Sequence, residues 1–253
     1  MTRSSVRQEP SSVASSAQRG AWSDDGPAFA MPLATWLDLT VLDRTGLTHV
    51  LHRHTVPPEV TTYFQLRFQS PKVIAMDRAF FLVTWVVAPS PRQFFGCHEL
   101  KLCVTPTLVA GLYDRVLRTQ PQIGPVLSQS TDLPSGGVTQ FVWDVLDGVV
   151  TSYETAATTI LNDGLLARKG TADLRVWKQR AAALAELVGQ QRVLLRNVAH
   201  AGRTVGIDEQ HGESTTLDTR LERLTRIIGD MRPTAQDISA PFDTFGRPTR
   251  STP

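Results

Sequence analysis

Val138-Thr139-Gln140-Phe141-Val142-Trp143-Asp144-Val145-Leu146-Asp147-Gly148-Val149-Val150-Thr151-Ser152-Tyr153 opens the stretch that decides the fold. From Val138, apolar residues recur at Val142, Val145, Val149, Tyr153, Ala156, Ile160 and Leu165, the spacing of one helix face. The stripe breaks at Arg168-Lys169-Gly170-Thr171 and resumes through Leu174, Trp177, Ala181, Leu184, Leu187, Val188, Leu195 and Val198. The pattern predicts a long antiparallel helical hairpin over 138–200. Each arm, about 28 residues at roughly 1.5 Å per residue, spans about 40 Å, more than a compact domain of this size needs. Such a hairpin must lie along other long elements or protrude from a body.

After the hairpin, Gly202, Gly206 and Gly212 loosen the connection. Thr215 or Thr216 is placed to cap a third helix over 213–233, with Leu217, Leu221, Leu224, Ile227, Ile228 and Met231 on one face and Pro233 at its end. Its arginines, Arg220, Arg223, Arg226 and Arg232, are interleaved with Glu222 and Asp230, so they read as a solvated face. Residues 239–253, with Pro241, Pro248 and Pro253, read as a disordered tail.

Ahead of the hairpin the chain reads as an α/β body over 33–127. Residues 1–32 are too polar to offset the entropy of ordering and read as a flexible leader. Thr35 to Val41 alternates as a half-buried strand does, and Asp43 is a candidate cap for a short helix over Arg44 to His54, ended by Pro57-Pro58. A second short helix is expected over Glu59 to Phe68. The continuous apolar run Phe80 to Val87 predicts a strand covered on both faces. Cys97 to Val104 and Leu108 to Tyr113 predict a hairpin whose first arm alternates Glu99 and Lys101 with Leu100 and Leu102, one face on a core and one on water. A short helix from Asp114 to Arg118 follows. Ser128 to Gly137, rich in Ser, Gly and Pro, is the expected boundary with the helical hairpin.

The whole chain bounds the function. Its 253 residues carry a formal charge of only +2, with dispersed basic residues, which argues against a nucleic-acid footprint. Two cysteines and no signal peptide point to a reducing, intracellular location without a disulfide framework. No run approaches the ~18 apolar residues of a spanning helix.

Candidate chemistry is sparse. His49 and His52 share a face of their helix and His54 lies close by, but no further ligands are marked, so they read as a solvated edge. Cys97 and Cys103, six residues apart on a strand, lie on one face about 20 Å from each other and cannot chelate one ion or pair. Cys97 and His98, as strand neighbours, point to opposite faces, which removes a nucleophile–base pair. No phosphate-loop, dinucleotide or nucleophile-elbow pattern occurs, and an enzyme is not expected. Asp144, Asp147 and Glu154 lie on or beside the apolar stripe and read as polar groups at a helix interface.

The order of elements carries a resemblance. Trp36-Leu37-Asp38-Leu39, Pro71-Lys72-Val73 leading to Phe80-Phe81-Leu82-Val83, the pair Leu100 to Tyr113, and Phe141 to Tyr153 follow one another as in the cytoplasmic domain of CorA-type magnesium and divalent-cation transporters, over about Ala34 to Met231. The resemblance implies an α/β (α+β) fold: a mixed-sheet body with short helices, then a long antiparallel helical hairpin and a third, stalk-like helix. It also implies a homopentamer whose third helix enters the membrane before a Gly-Met-Asn motif. Neither the pore nor that motif occurs in this sequence, so the expected role is regulatory or sensing rather than pore-forming.

In that family acidic positions between subunits sense divalent cations. Asp218 is the candidate equivalent here, while Ala88 to Arg92 holds no carboxylate, so a site would bind Mg²⁺ or another divalent cation weakly. No cofactor is required. The expected partners are further copies of the chain or a full-length transporter, through which it would sit at the inner face of the membrane. The alternative is a free-standing α/β interaction module without metal binding.

Overall fold

The computed structural model describes residues 34–40, 42, 44–54, 56–89, 95–129, 133, 136–168, 174–207 and 212–230. The leader over 1–32, the cap at Asp43, the turn at 169–171, Met231, Arg232, Pro233 and the tail over 239–253 lie outside these residues.

Alternation with period two builds the sheet. In β3 (Phe80–Pro89), Phe80, Leu82 and Val86 enter one core while Phe81 and Val83 enter another, all of them buried. Around it stand β1 (Thr35–Asp38), β2 (Lys72–Ala75), β4 (Phe95–Val104) and β5 (Leu108–Tyr113), in the order β1-β5-β4-β3-β2. β1 runs parallel to β5 and the other pairings are antiparallel, so the sheet is mixed. β2 is a strand in its own right at the border, where the sequence suggested only a step into β3.

Helices cover both faces. α1 (Arg44–Arg53) and α2 (Pro58–Gln65) bury Leu47, Leu51, Val60 and Phe64 on Phe81, Val83, Cys103 and Ala110. Pro57-Pro58 opens α2 rather than merely ending α1, because a proline at the first helical position gives up an N–H that has no partner there anyway. α2 stops at Gln65, short of the expected Phe68, which adopts a left-handed φ of 56°. A 3₁₀ turn at Arg115–Thr119, capped by Asp114, and the short α3 (Gly124–Leu127) lead from β5 to the long helices.

α4 (Gly137–Arg168) and α5 (Leu174–Thr204) form the long hairpin, and it lies across the other face of the sheet, on β3 and β2. Two buried side chains join these layers. Thr84, the polar break in the apolar β3, donates to Gln191 Oε1 of α5 at 2.8 Å, and Ser152 Oγ of α4 accepts from the Val87 N–H at 3.1 Å. α6 (Glu213–Asp230) packs on both arms through Leu217, Leu221, Leu224 and Ile228. It begins two residues before the expected threonine caps, because the Gly212 carbonyl accepts the Thr216 N–H and starts the helix there.

Where β4 pairs with β5, over Leu100–Val104, the hairpin does not present the expected wet face. Lys101 is 3% exposed and Cys103 is fully buried, so both faces of the C-terminal half of β4 are covered. The lysine is tolerated because α2 ends directly above it and supplies carbonyl acceptors.

Candidate functional site

Three arginines, Arg192, Arg196 and Arg220, tie α6 to the hairpin. Arg192 of α5 donates through Nε to Asp218 Oδ1 at 2.8 Å and through Nη2 to Oδ2 at 3.3 Å, and Arg196 approaches the same carboxylate at 3.5 Å. The Arg192 guanidinium holds the Asp218 carboxyl below its ordinary value. Asp218, the metal candidate from the sequence, therefore spends both oxygens on cations of its own chain.

Arg220 points the other way, to α4. Its guanidinium binds Glu154 at 3.0 and 2.6 Å, Thr151 Oγ1 at 2.8 Å, and Asp147. Three acceptors around one planar fork leave little freedom, since Asp147, Thr151 and Glu154 are stacked on one face of α4 at helical spacing. Arg220 is thus an interhelical tie and not part of a solvated face, whereas Arg226 pairs with Glu222 one turn away in the exposed manner the sequence suggested.

On the opposite side of the sheet a cleft of about 760 Å³ opens between α1, the end of α2 and β4. Its floor holds the Lys101 ammonium, which donates to Phe64 O at 3.3 Å and to Leu66 O, and pairs with Glu99 at 3.0 Å. Glu99 Oε1 accepts the Gln69 N–H at 2.7 Å, and Trp85 Nε1 donates to Gln69 O at 3.0 Å. These bonds fasten the 66–69 loop to the sheet and leave Phe68 standing 89% exposed.

A second polar knot joins β1 to β5. Asp38 accepts from Tyr113 Oη at 2.5 Å, from Thr40 Oγ1 at 2.5 Å and N–H at 2.9 Å, and from Arg118. Burial alone would raise the Asp38 carboxyl, but these donors outweigh it and hold it low. Burial first and the Asp38 bond second push the Tyr113 phenol up to about 12.

His49, His52 and His54 are all exposed on or beside the outer side of α1. Cys97 is exposed and Cys103 buried, both as free thiols, and burial pushes Cys103 up to about 12. The His98 ring lies over Gly96 with Nδ1 3.1 Å from Asp114 Oδ2, on the sheet face away from Cys97. Among the described residues no group of three or more His, Cys, Asp or Glu side chains comes together to hold a metal ion.

Sequence reasoning placed Asp147 and Glu154 at a helix interface without naming Arg220 as their partner. It missed the Lys101–Glu99 pair and the Asp38–Tyr113–Arg118 knot altogether. Only one sequence signal pointed to the first of these: a lysine flanked by Leu100 and Leu102, two residues from a glutamate on the same strand.

No family model and no curated protein matches the sequence. Solved structures do match in shape. The ZntB cytoplasmic domain from Vibrio parahaemolyticus RIMD 2210633 aligns with a TM-score of 0.59 at 10% identity, over 78% of this chain and 82% of that one. Full-length CmaX aligns at 0.60 and 14% identity, over 87% and 68%. The complete CorA magnesium transporter from Methanocaldococcus jannaschii aligns at 0.53 and 11%, over 80% and 68%. No helix among the described residues is long and apolar enough to cross a membrane. The fold of this chain, a mixed sheet with a long hairpin laid across it and a third helix on both arms, is similar as a whole to the folds of these three structures.

Proposed function

We propose that this chain works as the extramembrane domain of a CorA-type divalent-cation transport system, regulating or sensing rather than conducting, at the cytoplasmic face, with Mg²⁺ as the expected ion. The observation that supports this reading is the placement of α6. Arg220 ties it to α4 and Arg192 ties it to α5, so a tilt of this helix is carried directly into the hairpin and the sheet beneath it. Copies of the chain, in a pentamer, or a full-length transporter are the proposed partners. No catalytic role is proposed for any residue.

A cation acting at Asp218 would have to displace Arg192, which makes binding weak and couples it to loosening of the α5–α6 contact. That pairing favours a second reading, an interaction module of the same fold that partners a transporter without binding metal. Thermal unfolding with millimolar Mg²⁺, Co²⁺ or Ca²⁺ separates the two, because a ligand held only by the folded chain raises its melting temperature. The sensing reading requires a rise that Asp218→Ala abolishes. No rise with any of these ions leaves the module.

A further inference from the structure

β4 is longer than the strand that covers it. Its pairing with β3 runs from Phe95 to Val104, whereas its pairing with β5 stops at Leu100 opposite Tyr113. β5 ends there because the Asp114 carboxylate accepts the Val116 N–H and turns the chain into the 3₁₀ turn. The hairpin is closed by the Thr105 N–H on Leu108 O at 2.8 Å. That bond sets the phase, with odd-numbered β4 residues turning their backbone groups toward β5 and even-numbered ones toward β3. Beyond Glu99, the amides of Phe95 and Cys97 therefore face a side along which β5 no longer runs. Among the described residues no strand pairs with this side of β4, which leaves it a strand edge within the sheet, of the kind that accepts an added strand.

The surroundings of that edge suit an extended chain. The 760 Å³ cleft meets this edge at Cys97, with Leu47, Phe64, Trp85 and the exposed Phe68 as apolar walls. Its charges are unequal in their commitments: Glu99 is neutralised by Lys101 and His98 faces Asp114, while Arg67 has no ion-pair partner among the described residues. An incoming segment thus finds main-chain groups to pair with, pockets for alternate apolar side chains, and one cation for an acidic side chain.

We propose that the Phe95–Cys97 edge and the adjoining cleft receive an extended segment of another protein, added to the sheet as a strand, with alternating apolar residues and an Asp or Glu that meets Arg67. The segment supplies the main-chain donors and acceptors that β5 would have supplied had it continued.

Hydrogen exchange on the full chain, with peptides selected from phage-displayed random dodecapeptides, tests this. The amides of Phe95 and Cys97 should exchange rapidly in the free chain and slow when a selected peptide binds. Selected peptides should carry an acidic residue in an alternating apolar pattern. Their binding should weaken about tenfold on Arg67→Glu and on Cys97→Pro. The proline removes only the edge-facing N–H, a substitution that strand edges tolerate. N-methylation of alternate peptide residues, which leaves the protein untouched, should abolish binding in one phase only. The proposal fails if the two amides are already protected in the free monomer, so that the chain covers its own edge. It fails equally if their protection rises with protein concentration, which makes a second copy the occupant. Absence of any selected peptide, or binding indifferent to N-methylation, overturns it as well.

Discussion

The Tyr113 hydroxyl donates to Asp38 Oδ2 at 2.5 Å and ties the last residue of β5 to the last residue of its parallel neighbour β1. Tyr113→Phe removes this charge-assisted bond and leaves the ring in place, stacked near Trp36. The expected cost is about 2 kcal/mol, a fall of roughly 4–8 °C in melting temperature by calorimetry. An unchanged melting temperature would show that Arg118 and Thr40 satisfy Asp38 without it.

The same phenol and the Cys103 thiol contribute to the alkaline limit of stability, alongside Tyr153 and Cys97, which burial also raises. The first two are raised to about 12, from ordinary values of 10.0 and 9.0, so the fold favours their neutral forms. Their contribution is complete below those ordinary values and is lost as pH rises toward 12. Cys103→Ala should remove its share of the alkaline decline that starts near pH 9.0. Asp38 and Asp218 act at the other end: held below 3.8, they stabilise above that pH, and their contribution is lost as pH falls through their folded-state values. Urea midpoints across both limits check the two signs.

Arg220→Lys keeps the charge but loses the fork that reaches Glu154, Asp147 and Thr151 together. We expect a loss of about 1–3 kcal/mol in urea unfolding, little of it recovered by the lysine compared with alanine. Full recovery by lysine would reduce the tie to simple charge.

Lys101→Met should cost about 3–5 kcal/mol, because it strands the Glu99 carboxylate and two carbonyls under α2. Adding Glu99→Gln should return part of that loss. A double variant no better than the single one would mean that the carbonyls of Phe64 and Leu66, not the glutamate, carry the penalty.

Gly164→Ala tests how the hairpin arms meet. A methyl at this position would fall inside the indole of Trp177, whose Nε1 donates to Ile160 O at 2.6 Å. The ring must move, at a cost of about 1–3 kcal/mol, and tryptophan emission should shift to the red as it meets water. Emission that stays put would place the flexibility in α4 instead.

The long apolar periodicities were readable because they span many turns. Val142, Val149, Tyr153 and Leu184 are fully buried on the face their spacing assigns. The mixed sheet was legible only as what the resemblance to the CorA-type cytoplasmic domain implies, and no single strand announced it. What escaped the sequence was polar. The Glu99–Lys101 alternation looks solvated because the covering element, the end of α2, comes from more than thirty residues earlier. Arg220 looked like one of four similar arginines because its partners lie on another helix, 66 and 73 residues away. Asp218 drew attention for its position at the head of a helix, but nothing local announces Arg192. A charged residue's neighbours across space, unlike its neighbours along a helix, leave no periodic trace.

The parallel pairing of β1 with β5 also dictates the order of assembly. Thr35 lies beside Leu108, roughly 70 residues further along the chain, so β1 has no edge to join until the whole β3–β4–β5 meander exists. During synthesis it leaves the ribosome first and is seated late. A pulse-labelled nascent chain should therefore shield β3 and β4 before it shields Trp36.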